Sequence, residues 1–129
     1  QAKHLEAYYP SNKKLYEGDT DNNLKFNGNG TLYYENDSNS IKYVGSFVNN
    51  KYHGNGIFYH NNGHKAYEGS WETNRKHGDG MSFYESTGTI EYTGSWVHDE
   101  RHGEGSLFTE NGELVYNGNF HYDDMAFAN

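Results

Sequence analysis

A segment of about 24 residues recurs along the chain, and this period constrains the fold more than any other feature. Tyr67-Glu68-Gly69-Ser70-Trp71 is followed, after a polar turn, by His77-Gly78-Asp79-Gly80. Tyr43-Val44-Gly45-Ser46-Phe47 leads in the same way to His53-Gly54-Asn55-Gly56, and Tyr92-Thr93-Gly94-Ser95-Trp96 to His102-Gly103-Glu104-Gly105. In all three the His follows the Tyr by ten positions. A fixed period of this length indicates a repeat array, in which each unit buries its apolar face against its neighbours.

Each unit divides into two strands. Tyr67, Gly69 and Trp71 alternate on one face, with Glu68, Ser70 and Glu72 on the other. Polar turns follow at Asn49-Asn50-Lys51, Thr73-Asn74-Arg75 and His98-Asp99-Glu100. Asn62-Gly63, Thr87-Gly88 and Asn111-Gly112 then join one unit to the next, and Asn-Gly is a strong hairpin signal. With a turn at both ends of every strand, the expected architecture is all-β. It is an elongated, twisted, antiparallel array of hairpins in one sheet with a groove.

The units run over 16–42, 43–66, 67–91 and 92–115, with a partial unit at 116–129. Residues 1–15 read as the tail of a preceding unit, so one domain over 1–129 is expected, as a fragment of a longer protein. The unit at 16–42 is looser. Thr20 replaces the Trp, Asn27 replaces the His, and one extra residue between the halves predicts a longer turn or a bulge. The last unit carries Ala126 and Phe127 at the His and Gly positions. The only helical signal is weak, at 1–9.

Four-residue turns would set Trp71 opposite Gly78 and Gly69 opposite Gly80. Phe47 would then face Gly54, and Trp96 would face Gly103. Glycine weakens a strand, so its recurrence needs a packing reason. A large ring lying across bare backbone supplies one. Tyr43, Tyr67, Tyr92 and Tyr116 would form one row, and Phe47, Trp71, Trp96 and Phe120 another.

The pattern Tyr-x-Gly-x-Trp/Phe followed by His-Gly-x-Gly closely resembles the MORN (membrane occupation and recognition nexus) repeat. The resemblance spans residues 16 to about 122 and fills every signature position over 43–108. Its structural motif residues here are Gly45, His53, Gly54, Gly56, Gly69, His77, Gly78, Gly80, Gly94, His102, Gly103 and Gly105. The resemblance implies a curved antiparallel sheet with an aromatic-lined groove. It also implies scaffolding and protein interaction, in places beside catalytic domains, in the cytoplasm and at cytoskeleton or membrane.

Composition bears on the partner. Net charge is -8, which repels nucleic-acid phosphates and anionic headgroups and favours a basic partner. Cysteine is absent, which excludes thiolate chemistry and disulfides. No apolar run is long enough to span a bilayer as a helix.

Chemistry finds no foothold in the pattern. Residues recurring once per hairpin stand about 10 Å apart, so His53, His77 and His102 cannot share one ion. No metal or cofactor is expected. Asp19-Thr20-Asp21-Asn22-Asn23 opens like a calcium loop, but Leu24 and Gly30 occupy its required Gly and Glu positions. No carboxylate pair stands beside a nucleophile, so the chain is expected not to be an enzyme.

The expected role is a scaffold whose aromatic groove takes a peptide or helix, with basic residues, from a protein partner. The contact residues would be Tyr43, Phe47, Tyr67, Trp71, Tyr92 and Trp96, with Glu68 and Glu72 supplying charge. The same six rings have an intramolecular reading as the core of a thin protein. Alternatives are self-association through the array ends, tethering to a phospholipid surface, and a regulatory region of a larger enzyme.

Overall fold

Alternating apolar and polar residues broken by turn residues give strands throughout. The computed structural model describes residues 3–127; residues 1 and 2 of the expected tail at 1–15, and residues 128 and 129 of the partial unit at 116–129, lie outside this range. The strands are β1 Lys3–Tyr8, β2 Lys14–Thr20, β3 Phe26–Tyr33, β4 Ile41–Val48, β5 Lys51–Tyr59, β6 Lys65–Glu72, β7 Arg75–Phe83, β8 Ile90–Val97, β9 Glu100–Phe108, β10 Leu114–His121 and β11 Asp124–Met125. They pair in sequence order in one antiparallel sheet of 11 strands. The weak helical signal at the N-terminus is overridden, because β1 pairs with β2 in the register Leu5↔Gly18 and Ala7↔Tyr16.

One line of the register consists of glycine alone. Gly18, Gly30, Gly45, Gly56, Gly69, Gly80, Gly94, Gly105 and Gly118 are successive cross-strand partners from β2 to β10. The tyrosine of each unit folds over this bare line. A Cβ on Gly56 would lie 2.0 Å from Tyr43 Oη, and one on Gly80 would lie 2.1 Å from Tyr67 Oη. Having crossed the glycine, each phenol donates to the carbonyl three residues on: Tyr16 to Asp19, Tyr43 to Ser46, Tyr67 to Ser70 and Tyr92 to Ser95, at 2.7–2.9 Å.

The Gly69↔Gly80 pairing has the expected register, but the pairing of the Trp position does not. Trp71 pairs with Lys76 within its hairpin and with Gly54 of the preceding unit. Phe47 likewise faces Gly28, Trp96 faces Gly78 and Phe120 faces Gly103. The cause is the turn. It has two residues with positive φ rather than four: Asn49 (49°) and Asn50 (71°), Thr73 (48°) and Asn74 (69°), His98 (46°) and Asp99 (71°). Such turns match the twist of a two-residue hairpin. The extra length is absorbed farther on, where Ser70 of β6 stands against His77, Gly78 and Asp79 of β7. Gly78 takes φ 92° in that bulge, which accounts for its glycine.

The looser first unit puts its additional residue in the turn. Thr20 pairs with Phe26, and Asp21 Oδ1 accepts the N–H groups of Asn23 and Lys25 between them. It is a polar turn.

Candidate interaction surface

Rings and their cross-strand partners build the tyrosine face. Tyr16, Tyr43, Phe47, Tyr67, Trp71, Tyr92, Trp96 and Phe120 form one buried cluster. Neighbouring rings meet edge to face: Tyr43–Phe47, Tyr67–Trp71 and Tyr92–Trp96 at 5.0–5.1 Å between centroids, and Tyr67–Trp96 at 5.4 Å between units. These contacts make a continuous core one layer deep, each worth about 0.5–1.5 kcal/mol beyond area burial. Burial pushes the phenol of Tyr16 up to about 12 and also raises Tyr43 and Tyr67.

A second row closes over the first, from the residue just beyond each turn. Phe26 stacks on Tyr16 at 3.7 Å and Tyr52 stacks on Tyr43 at 3.9 Å. In the next two units the same position holds a cation. Lys76 Nζ stands 4.8 Å from the Trp96 ring and 5.7 Å from Tyr67, and Arg101 Cζ lies 5.3 Å from Phe120 and 5.8 Å from Tyr92. The covering row thus changes from aromatic to cationic between Tyr52 and Lys76. At that change the face is indented. A depression of about 350 Å³ is lined by Tyr52, Phe58, His60, Ala66, Tyr67, Trp71, Asn74 and Lys76.

The turns hold this row in place. Asn50, Asn74, Asp99 and Asp123 each accept, through Oδ1, the backbone N–H of Phe26, Tyr52, Lys76 and Arg101 of the preceding unit, at 2.7–2.8 Å. Each returns its own N–H to the same residue's carbonyl at 2.8–2.9 Å. The motif histidines close the other end of each turn. His53 Nδ1 accepts from Thr73 N–H at 3.3 Å and His102 Nδ1 from Tyr122 N–H at 3.1 Å. Asn27 does the same for Asn49 at 3.0 Å, so the first unit keeps the bond without the His. His77 differs, since its buried Nδ1 has no partner among the described residues.

The structure divides the residues singled out in the sequence. Tyr43, Phe47, Tyr67, Trp71, Tyr92 and Trp96 all lie in the buried cluster, with Trp71 7% and Trp96 5% exposed. Of these, Tyr67 and Trp71 line the depression. Glu68 and Glu72 point to the other side of the sheet. Glu68 bonds Lys65 Nζ at 2.8 Å, and Glu72 stands 3.8 Å from His77 Nε2. Reasoning from sequence missed Tyr52, Phe58, Ala66 and Lys76. The available signal was position: Phe26, Tyr52, Lys76 and Arg101 each stand just after a turn.

The opposite face is a ladder of Thr31, Val44, Ile57, Glu68, Met81 and Thr93, all half-buried. Exposed Ile41, Ile90 and Leu114 extend its apolar surface.

His53, His77 and His102 stay apart, but two other groups of possible metal ligands form among the described residues. Glu72, His77 and His98 bring donor atoms within 4.8 Å of one another, as do His4, Glu6 and Glu17. Lys14 Nζ already sits in the second group, 2.9 Å from Glu17 and 4.0 Å from Glu6.

The family model for the MORN repeat matches at residues 25–38, 43–65, 67–86 and 92–113, together more than half of the chain. No curated protein matches it. No helix among the described residues is long and apolar enough to cross a membrane.

Proposed function

The chain belongs to the MORN-repeat family, and from that premise we propose that it is a scaffold taking a peptide or helix of a protein partner on its tyrosine face. MORN repeats are in general protein- and membrane-interaction modules, and the repeat itself is non-enzymatic. The observation that carries the finer reading is the depression over Tyr67 and Trp71, where the aromatic covering row stops. An apolar side chain of the partner enters there, against Tyr52, Phe58 and Ala66. Tyr67 and Trp71 form its floor, while Tyr43, Phe47, Tyr92 and Trp96 hold that floor from within. Glu68 and Glu72 act from the far side as part of a net charge of -8, which draws a basic segment. The chain would do this in the cytoplasm, at cytoskeleton or membrane.

Lys76→Tyr tests this by extending the aromatic row over the depression. Affinity capture with the native chain, K76Y and Ile57→Glu on the opposite face separates the surfaces. Loss of the partner with K76Y alone supports the reading. Loss with I57E alone moves the site to the opposite face, and retention in both defeats it.

A second reading is self-association, favoured by the exposed Ile41, Ile90 and Leu114. Light scattering that gives a monomer at every concentration removes it. Phospholipid tethering has the charge against it, and absence of binding to anionic vesicles at low salt ends that alternative.

A further inference from the structure

We propose that Glu72, His77 and His98 form a binding site for a divalent transition-metal ion of the zinc class, built across the junction of two repeats. Glu72 ends β6, His77 lies in the bulge of β7, and His98 opens the turn of the next hairpin. Only that junction supplies all three. The position of Glu72 is Val48 and Val97 in the flanking units, and the position of His98 is Asn49, Thr73 and Tyr122.

The donor set suits the ion. Two imidazoles and a carboxylate are a recurrent zinc environment, with the fourth position left to water. Their donor atoms lie within 4.8 Å of one another, and tetrahedral zinc at its usual bond lengths brings ligand atoms to about 3.4 Å. Glu72 and His98 are exposed side chains at a turn, free to close that difference by rotation. His77 is the motif histidine set apart by an unpartnered Nδ1. The bond that holds His53 and His102 in the tautomer with Nε2 protonated is therefore lacking at His77, and its Nε2, 3.8 Å from Glu72, is available as a ligand. No Lys or Arg pairs with Glu72 among the described residues, in contrast to Lys14 in the His4 group. Lys51 and Arg75 line a separate depression beside this cluster, with His53, Glu72, Thr73 and His98, and both are exposed, so their charged ends can turn to solvent. This site lies across the sheet from Tyr67 and Trp71 and stands independently of the partner reading.

The repeat supplies its own controls. Glu72→Val, His77→Asn and His98→Asn each install the residue that another unit carries at that place, so the hairpins keep their form. Titration of the native chain with Co2+, followed by its visible absorption and by displacement with Zn2+, is expected to show one tightly bound equivalent. Each replacement is expected to weaken binding by about tenfold or more, with thermal unfolding of the metal-free protein little changed. His121→Asn, an exposed histidine elsewhere, is expected to leave binding intact. The proposal is overturned if the native chain binds no stoichiometric equivalent, if the three variants bind as the native chain does, or if H121N abolishes the signal.

Discussion

Gly54 of β5 faces Trp71 of β6, and the indole crosses into the preceding unit to donate its Nε1–H to Gly56 O at 3.1 Å. Trp96 does the same to Gly80 O. The largest ring of each of these units therefore belongs energetically to the junction, not to its own hairpin. A single hairpin is marginal in water, and this bond is one means by which neighbours stabilise each other. Trp71→Phe keeps a ring as in the unit of Phe47 but leaves that carbonyl without its indole donor. Equilibrium unfolding in urea is expected to show a loss of about 1–2 kcal/mol for W71F and about 3–5 kcal/mol for W71A.

The glycine line can be tested at Gly80. Its Cβ would meet Tyr67 Oη at 2.1 Å and Cζ at 2.3 Å, so G80A must expel a buried ring. Gly63, with nothing within 4 Å and φ 95°, carries only backbone strain. Urea unfolding is expected to give about 3 kcal/mol for G80A and about 1 kcal/mol for G63A. Equal losses would mean that the tyrosine does not occupy the trench.

The turn clasp predicts a difference between two substitutions at one position. Asn74→Asp keeps the Oδ1 that accepts from Tyr52 N–H, as Asp99 already does for Lys76. Asn74→Ala removes the acceptor and leaves a residue poorly suited to φ 69°. We expect a cost of about 1–2 kcal/mol for N74A and under about 0.5 kcal/mol for N74D, read from thermal or urea melts.

Alkaline pH should unfold the protein through its phenols. Burial raises Tyr16 and Tyr52 to about 12 from the ordinary value of 10.0. Between these values the unfolded chain loses protons that the folded chain retains. Stability is therefore fully present below pH 10 and falls as the pH rises towards 12. Circular dichroism against pH should show the loss in that window, together with tyrosinate absorbance. Ionisation of every phenol near pH 10, with the sheet intact, would contradict the buried placement.

Lys76→Tyr should also stabilise the fold. Tyr52 at the equivalent position stacks on Tyr43 at 3.9 Å, whereas Lys76 Nζ stands 5.7 Å from Tyr67. A gain of about 0.5–1.5 kcal/mol is expected from the added stacking, and differential scanning calorimetry reads it as a raised Tm.

The period, the strand alternation and the pairing of Gly69 with Gly80 were legible in the sequence, because side chains at i and i+2 share a face whatever lies beyond the hairpin. The looser turn at 21–25 was legible for the same reason, from one residue too many. The placement of Trp71 was not. Thr73 is a β-branched residue with no local preference for φ 48°, and it holds that conformation in a turn whose flanking N–H groups bond to the preceding unit: its own to His53 Nδ1, and that of Asn74 to Tyr52 O. Local sequence determined that there would be hairpins and which face would carry rings. Only the tertiary structure decided how tight each turn is, and with it which glycine each indole faces, because contacts from the neighbouring repeat fix the turn.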